Sequence, residues 1–372
     1  MKKIIVLGSG MVGRVMAADL SPDFDVTAAD VNPANLEKLG RAPVKKKTAD
    51  LSDGAAVRSL VKDYDLVIGA VPGFMGFETL RSVIEAGRDV VDISFFPEDA
   101  LELDAAAKAA GVTAVVDCGV APGMSNMILG HHAARMSVSR FRCYVGGLPF
   151  RRDFPFEYKA PFSPADVIEE YVRPARYVEN GHVVVRPALS DVELLDFPEI
   201  GTLEAFNSDG LRSLLRTMAV PDMIEKTLRY PGHADRIRAL SASGFFSADE
   251  VEVPGGKVRP LDVTSAVLFK QWRLADEDDE FTLMRVHVDG QENGRARSVV
   301  YSLFDRRDRR TGFSSMARTT GFPASAVARL VLAGEFSQKG ICPPETVGVD
   351  EANFRFVLDE LRARHVDYTV KG

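Results

Sequence analysis

The first thirty residues constrain the fold most strongly, because they combine an apolar run, a glycine-rich turn and an acidic residue at fixed spacings. Residues 4–7 form a short run rich in β-branched side chains, which is typical of a buried strand. Three glycines in the spacing G-x-G-x-x-G follow at once, namely Gly8, Gly10 and Gly13. Asp30 lies about 20 residues further on, after a second predicted strand. This pattern predicts a strand–turn–helix–strand unit of the Rossmann type that binds a dinucleotide.

Each glycine has a physical role in holding a pyrophosphate. Gly8 permits the tight turn, Gly10 lets the backbone approach the phosphates, and Gly13 lets the helix pack closely on the strand. The helix N-terminus then offers N–H groups and a partial positive charge to the phosphates. The predicted cofactor-binding residues are Gly8, Gly10, Met11, Val12, Gly13, Asp30, Val71 and Pro72.

The acidic residue after the second strand predicts which dinucleotide is bound. A carboxylate at Asp30 accepts hydrogen bonds from the ribose hydroxyls and repels a 2′-phosphate. No Arg or Lys follows it within residues 31–33. The sequence therefore predicts NAD, with NADP as the less favoured cofactor.

Composition limits the class of protein. The chain has 372 residues, 46% of them hydrophobic and 27% charged, as expected for two ordinary globular domains. Its net charge of −7 argues against a general nucleic-acid or anionic-membrane partner. Polar residues and glycines interrupt the apolar N-terminus, so neither a signal peptide nor a membrane span is expected. Three scattered cysteines predict neither a disulfide framework nor a zinc site, and a cytoplasmic location fits best.

The order of predicted elements changes near residue 122. Before it, six predicted strands alternate with helices, which indicates an α/β fold with a doubly wound parallel sheet. After it, strands follow one another without crossover helices, which indicates an α+β domain with a mainly antiparallel sheet. Ser125 is the expected cap of the first helix in this part. The predicted strands there are 140–146, 176–186, 263–274, 281–289 and 297–305, and the predicted helices are 211–240, 314–332 and 353–365.

Several motifs, spread over nearly the whole chain, resemble the saccharopine dehydrogenase family, and most closely its lysine 6-dehydrogenase branch. The motifs are VPG at 71–73, VVDIS at 90–94, DCGVAPGMSN at 117–126, GGLP at 146–149, YKAPFSP at 158–164, RPARY at 173–177, LRYPGH at 228–233 and MARTTG at 316–321. The resemblance implies NAD(P)-dependent oxidation of a C–N bond in an amino acid.

The resemblance also implies how the chain is divided. Residues 1–122 and about 335–372 would form the cofactor domain, and 123–334 would form the substrate-binding domain and the surface of a homodimer. The last predicted helix, 353–365, has an amphipathic face that is expected to pack on the N-terminal sheet.

Two carboxylates and a thiol are candidates for chemistry at the sheet edge. Asp92 and Asp117 lie at the predicted carboxyl ends of parallel strands, where ligands bind in open α/β sheets. A carboxylate there can hold an ammonium group or accept its proton, although a strand-end hydrogen bond is an equally ordinary role. Cys118 is expected to line the pocket and not to act as a nucleophile.

The substrate carboxylate needs a cation, and Arg229 is the first choice because its planar fork makes bidentate bonds. Arg173 and Arg176 are rivals, and a structural salt bridge is the alternative role for all three. Tyr158 and Lys159 are expected to line the same pocket. Lys159 can act as an acid or base only if burial lowers its pKa.

The favoured reaction is oxidation of L-lysine at its ε-carbon, followed by hydrolysis of the imine to an aldehyde and ammonia. Saccharopine or carboxynorspermidine metabolism is the alternative within the class, and a non-catalytic dimer that senses NAD is the alternative outside it. His131 and His132 are neighbours on a helix and do not share a face, and no other His/Cys cluster occurs. No metal is therefore expected.

Overall fold

The computed structural model describes residues 1–275 and 277–372. The chain divides into two compact units, each built from separate segments. Unit 1 comprises Met1–Val138, Gly290–Arg297 and Met316–Tyr368. Unit 2 comprises Ser139–Asp289, Ser298–Ser315 and Thr369–Gly372.

The described chain alternates strands and helices over its first third. The strands are β1 (Lys3–Leu7), β2 (Asp25–Asp30), β3 (Lys45–Thr48), β4 (Leu66–Gly69), β5 (Asp89–Asp92), β6 (Thr113–Val115), β7 (Ser137–Pro149), β8 (Ala175–Glu179), β9 (His182–Arg186), β10 (Glu193–Phe197), β11 (Gly201–Asn207), β12 (Asp222–Arg229), β13 (Val251–Val253), β14 (Gly256–Val258), β15 (Glu280–Glu292), β16 (Arg295–Arg306), β17 (Gly340–Cys342) and β18 (Tyr368–Lys371). The α-helices are α1 (Gly13–Leu20), α2 (Pro33–Glu37), α3 (Gly54–Val61), α4 (Gly73–Glu85), α5 (Asp104–Ala109), α6 (Met124–Ala133), α7 (Pro164–Val172), α8 (Leu214–Thr217), α9 (His233–Ala242), α10 (Pro260–Trp272), α11 (Ser315–Ala333), α12 (Pro344–Gly348) and α13 (Glu351–Ala363). Within the described residues, no helix is both long enough and apolar enough to cross a membrane.

Unit 1 contains a seven-stranded sheet in the order β17-β6-β5-β4-β1-β2-β3, and every neighbouring pair is parallel. Ile4 in β1 pairs with Val26 on one side and Leu66 on the other, so the order of strands reverses at β1. The β1, β4 and β6 strands are buried throughout or nearly so, which explains their continuous apolar sequences. The predicted doubly wound α/β fold is confirmed.

The C-terminal segment supplies the seventh strand and two helices of unit 1. β17 pairs with β6, and α12 packs against α6. Glycines permit this contact, because a Cβ built at Gly130 would lie 2.0 Å from the Glu345 carbonyl oxygen and one at Gly348 would lie 2.1 Å from that of Met127. Since α6 packs within unit 1, the first segment of that unit continues to Val138, beyond the boundary expected near residue 122.

The last helix packs on other helices and not directly on the sheet, as the sequence had suggested. Phe354, Val357 and Leu361 are buried on one face of α13, while Leu358 is half-buried. The face contacts α6 and α12, and the Phe354 ring stacks on His131 with 4.1 Å between ring centroids. The amphipathic pattern therefore predicted burial correctly but not the packing partner.

The main sheet of unit 2 is mixed. Its strands follow the order β10-β11-β12-β7-β15-β16-β18, and β8 and β9 attach beside β12. β11 is antiparallel to β10 and β12, but β12 is parallel to β7. The expectation of a mainly antiparallel sheet thus needs correction at its centre, where this parallel pair lies.

Two elements of unit 2 have the opposite secondary structure to the one predicted. The stretch 211–240 was expected to be helical, but residues 222–229 form β12 between β11 and β7. Sheet pairing overrides the helix propensity of its Glu, Lys, Leu and Arg residues. The stretch 263–274 was expected to be a strand, but α10 occupies 260–272 and buries Thr264, Leu268 and Trp272 at helical spacing.

The predicted strand 176–186 is a hairpin of two strands. β8 and β9 pair antiparallel, and Asn180 and Gly181 join them with φ angles of 49° and 78°. An Asn-Gly pair is a strong signal for this turn, because both central residues take positive φ.

Candidate functional site

The glycine-rich turn of unit 1 has the steric features that a pyrophosphate site requires. Gly8 has φ of +97°, and a Cβ there would lie 2.3 Å from the Ala70 carbonyl oxygen. A Cβ at Gly13 would lie 2.0 Å from the Gly8 carbonyl oxygen. A Cβ at Gly10, in contrast, would meet nothing within 4 Å among the described residues. The first and third glycines are needed for packing, and the second faces open space through which a dinucleotide could approach.

Other predicted cofactor residues lie beside this turn. Met11 and Val12 are half-buried and lead directly into α1, where the Val12 carbonyl accepts the N–H groups of Val15 and Met16. Val71 and Pro72 follow β4, and Pro72 is the residue that precedes α4. The Gly8–Ala70 contact places the loop after β4 next to the glycine-rich turn.

Asp30 is at the end of β2 and is 8% exposed. Oδ2 accepts a hydrogen bond from the Ser9 main-chain N–H over 2.8 Å and from the Asn35 amide over 3.2 Å. Oδ1 accepts from the Asn32 main-chain N–H over 2.8 Å. The carboxylate is therefore held in one orientation against the glycine-rich turn.

The three sheet-edge candidates lie together. Asp92 at the end of β5 is 1% exposed, and Oδ1 accepts from the Ser94 N–H over 2.8 Å. The Cys118 N–H donates to the Asp92 carbonyl over 3.0 Å. Asp117 has φ of 52°, the left-handed conformation. Burial raises the pKa of the Cys118 thiol well above its usual range, and the charges of Asp117 and Asp92 raise it further, so all three side chains share one environment.

The loop that follows Cys118 is folded tightly against the start of α6. A Cβ at Gly123 would lie 1.9 Å from the Gly119 carbonyl oxygen, and Gly123 has φ of +137°. The Asn126 side chain accepts from the Gly123 N–H over 3.2 Å. Asn126 and not Ser125 therefore satisfies the start of this helix, because the helix begins at Met124, one residue before the expected cap.

Arg229 of unit 2 is buried in a polar and aromatic cluster. Its guanidinium forms a salt bridge of 2.9 Å with Glu170 and donates from Nε to the Tyr171 hydroxyl over 3.1 Å. Nη1 donates to the Leu228 carbonyl over 2.9 Å. The cation also lies 4.3 Å above the centre of the Tyr158 ring. Only 2% of its surface is exposed.

His233 extends the same cluster and fixes its protonation state. Nδ1 is 2.9 Å from the Phe156 carbonyl oxygen, and Nε2 is 2.9 Å from the Tyr171 hydroxyl. Burial lowers the pKa of His233 to about 3, and the Arg229 charge contributes, so the ring is neutral at pH 7. Because a carbonyl only accepts, Nδ1 carries the hydrogen and Nε2 accepts from Tyr171, whose oxygen accepts in turn from Arg229.

The other predicted substrate residues are partly separate from this cluster. Tyr158 belongs to it, and burial raises the pKa of its hydroxyl well above the usual value. Lys159 is only half-buried and donates to the Gln271 carbonyl over 3.0 Å. Arg173 pairs with Glu169 over 3.3 Å, and Arg176 pairs with Asp209 over 2.8 Å. All three candidate arginines thus have carboxylate partners inside unit 2, while contact with a substrate carboxylate stays a prediction.

Several residues of the cluster carried no predicted role. Glu170 and Tyr171 lie on α7, and the spacing of Val167, Glu170 and Tyr171 could have placed Glu170 beside the buried face. Glu204 accepts from the Gly232 and Ala234 N–H groups over 2.7 and 2.5 Å, which holds the turn after Arg229. No sequence pattern links Glu204 to that turn, since they are on different strands. Among the described residues, no group of three or more His, Cys, Asp or Glu side chains is arranged to hold a metal ion.

Comparison with protein families gives two matches that together span nearly the whole chain. The model described as "Saccharopine dehydrogenase NADP binding domain" matches residues 4–115. The model described as "Saccharopine dehydrogenase C-terminal domain" matches residues 119–366.

Individual relatives are distant but extend over the full chain. The chain is 23% identical to saccharopine dehydrogenase [NADP(+), L-glutamate-forming] of Saccharomyces cerevisiae, covering 99% of this chain and 98% of that protein. It is 24% identical to carboxyaminopropylagmatine dehydrogenase of Synechocystis sp., covering 94% of each. It is also 24% identical to the mitochondrial alpha-aminoadipic semialdehyde synthase of Bos taurus, of which it spans about half, 48%.

A solved structure confirms the fold. The apo saccharopine dehydrogenase (L-Glu forming) of Saccharomyces cerevisiae matches with a TM-score of 0.80 at 21% identity. The match covers 100% of this chain and 99% of that one.

Proposed function

Because the chain belongs to the saccharopine dehydrogenase family, we propose that it is an NAD(P)-dependent oxidoreductase acting on a C–N bond of an amino acid. The observation that carries the proposal is the match of both family domains together with the glycine-rich turn, whose sterics leave open space at Gly10 alone. A dinucleotide bound at that turn would supply the oxidant that receives a hydride from carbon. The chain's own residues would bind, orient and deprotonate the amine.

NAD is the proposed cofactor, although the matched domain is named for NADP. Asp30 supports this, because its carboxylate lies against the glycine-rich turn and has no Lys or Arg among its hydrogen-bond partners in the described chain. A 2′-phosphate at this position would meet a negative charge held in place by Ser9, Asn32 and Asn35. The ribose hydroxyls of NAD would instead donate to it.

L-Lysine is the proposed substrate, oxidised at the ε-carbon. The grouping of Asp92, Asp117 and Cys118 at the sheet edge supports this assignment, because a buried, acidic environment favours an ammonium group. A carboxylate of this grouping would accept the amine proton before the C–H bond breaks. The imine product would then hydrolyse to an aldehyde and ammonia.

The alternative is a secondary amine such as saccharopine or a carboxynorspermidine-type substrate. Those substrates carry a further carboxylate, which would require a second cation. The three candidate arginines of unit 2 are already paired with carboxylates of the chain. This favours the substrate with fewer carboxylates.

A steady-state assay tests the proposal. Formation of reduced nicotinamide is followed with NAD or NADP over a panel of L-lysine, other amino acids, saccharopine and polyamines. Turnover of L-lysine with NAD supports the proposal. Turnover of a secondary amine alone would support the alternative, and NAD binding without turnover of any compound would indicate a non-catalytic NAD sensor.

A further inference from the structure

Glu170 presents one occupied and one available carboxylate oxygen. Oε2 accepts from Arg229 Nη2 over 2.9 Å. Oε1 makes no hydrogen bond within the described part of the chain. The side chain is 21% exposed, whereas its arginine partner is 2% exposed. The salt bridge therefore has a closed, cationic end inside the fold and an open, anionic end toward solvent.

The surroundings of this open end are apolar and rigid. The Tyr158 and Tyr171 rings pack edge-on against Trp272, with centroids 5.5 and 6.0 Å from the Trp272 ring. Trp272 is fully buried, and its backbone ends α10. Low local polarity strengthens an ion pair made at Oε1 compared with one on an open surface.

Arg229 makes a charged carboxylate at this place affordable. A half-buried glutamate without a cation would be driven toward its neutral form. Tyr171, Leu228 and Glu170 hold the guanidinium on three sides, so its position does not depend on a ligand. Arg229 is in this sense a positioning residue for Glu170.

We propose that Glu170 binds the α-ammonium group of the amino-acid substrate. An ammonium group has three donors and a positive charge, which complete the unoccupied oxygen, whereas a substrate carboxylate would be repelled there. The inference deepens the proposed function and rests on it, because it requires a substrate that carries a primary α-amino group. Polyamines and ω-amino acids without that group would lack this contact.

Isothermal titration calorimetry of the full chain, saturated with NAD, tests the inference with two probes. L-Lysine has the α-ammonium group, and 6-aminohexanoate lacks it but keeps the carboxylate and the terminal ammonium. The wild type should bind L-lysine more tightly than 6-aminohexanoate. Glu170→Gln keeps the acceptor for Arg229 and removes the charge, so it should lose roughly tenfold or more in affinity for L-lysine and little for 6-aminohexanoate.

Two variants serve as controls. Glu169→Gln changes the neighbouring glutamate, which is exposed and paired with Arg173, and should bind both probes as the wild type does. Glu170→Asp retains the charge and should recover part of the preference for L-lysine. Unfolding midpoints of all variants report any loss of the fold separately from ligand binding.

The inference is overturned if Glu170→Gln binds L-lysine as tightly as the wild type, or weakens both probes equally. It is also overturned if the wild type shows no preference between the probes. If L-lysine binds with the expected preference but no reduced nicotinamide forms, the proposed function fails while the α-ammonium site stands.

Discussion

The main-chain N–H of Ser9 donates to Oδ2 of Asp30 across 2.8 Å, which ties the middle of the glycine-rich turn to the end of the second strand. Asn35 donates to the same oxygen over 3.2 Å. Asp30 is thus oriented before any nucleotide arrives, and a site that is already ordered loses less conformational entropy on binding.

Replacing Asp30 should weaken NAD and relax the discrimination against NADP. Asp30→Ala removes a charged acceptor worth about 1.5–3 kcal/mol, so affinity for NAD should fall roughly ten- to a hundredfold. Fluorescence titration with each cofactor measures this. Asp25→Ala is the matched control, because Asp25 begins the same strand and pairs only with exposed Lys45. Equal affinity of the wild type for NAD and NADP would refute the assignment.

His233 should make the stability of unit 2 sensitive to acid. Its folded pKa of about 3 lies below the ordinary value of about 6.5, so the unfolded chain binds more protons between these limits. The associated stability is complete above about pH 6.5 and is lost as the pH falls toward 3. The loss should reach about 1.4 kcal/mol per pH unit in the middle of that window.

Denaturant unfolding at several pH values measures this effect. His233→Gln removes the titrating ring, so its free energy of unfolding should fall less steeply below pH 6.5 than that of the wild type. His182→Gln is the control, because His182 is exposed on β9. Parallel slopes for the wild type and His233→Gln would show that the ring is not held neutral.

The nucleotide half of the fold could be predicted because its signals are local. The Gly8–Gly13 turn and the apolar strands each declare their structure within a few residues. The β12 strand could not, because Glu225 and Lys226 are buried by pairing with strands that lie far away in the sequence. The helix α10 was mistaken for a strand because Val263, Thr264 and Val267 are β-branched, although tertiary packing decides such cases.

The buried face of α13 should contribute strongly to the stability of unit 1. Leu361 is fully buried, so Leu361→Ala should lower the free energy of unfolding by about 2–5 kcal/mol. Leu358 lies on the same helix but is half-buried, and Leu358→Ala should cost clearly less. Removing residues 351–372 should impair NAD binding as well as stability. Equal effects of the two leucine substitutions would contradict the packing described for this helix.

Arg229 should affect stability and substrate binding together. Arg229→Ala leaves Glu170 without its cation, and breaking a buried pair costs about 3–5 kcal/mol, with the lower end expected here because Glu170 is partly exposed. Arg229→Lys keeps the charge but loses the bonds to Tyr171 and Leu228, so it should destabilise less and still raise the KM for L-lysine.

Binding of NAD should be unchanged in both Arg229 variants. Arg186→Lys is a suitable control, because its ion pair with Glu179 is long, at 3.7 Å, and about half exposed. Normal KM and normal stability in Arg229→Ala would exclude both a structural and a substrate-binding role.

The substrate site was predicted less completely than the cofactor turn. Residue type pointed to Arg229 and Tyr158, and the structure places them in one cluster. Residue type could not show that Glu170 completes the ion pair or that His233 is neutral, because both facts depend on burial by α7, α9 and α10. Asp92 and Asp117 were identified from their positions at strand ends, which the parallel topology brings to one edge.

Isotope transfer from labelled lysine tests the central claim most directly. The enzyme is incubated with NAD and L-lysine deuterated either at the ε-carbon or at the α-carbon, and the mass of the reduced cofactor is measured. We expect deuterium in the reduced cofactor from ε-labelled lysine and none from α-labelled lysine. Deuterium from the α-labelled substrate alone, or no reduced cofactor from either, would contradict the proposed oxidation at the ε-carbon.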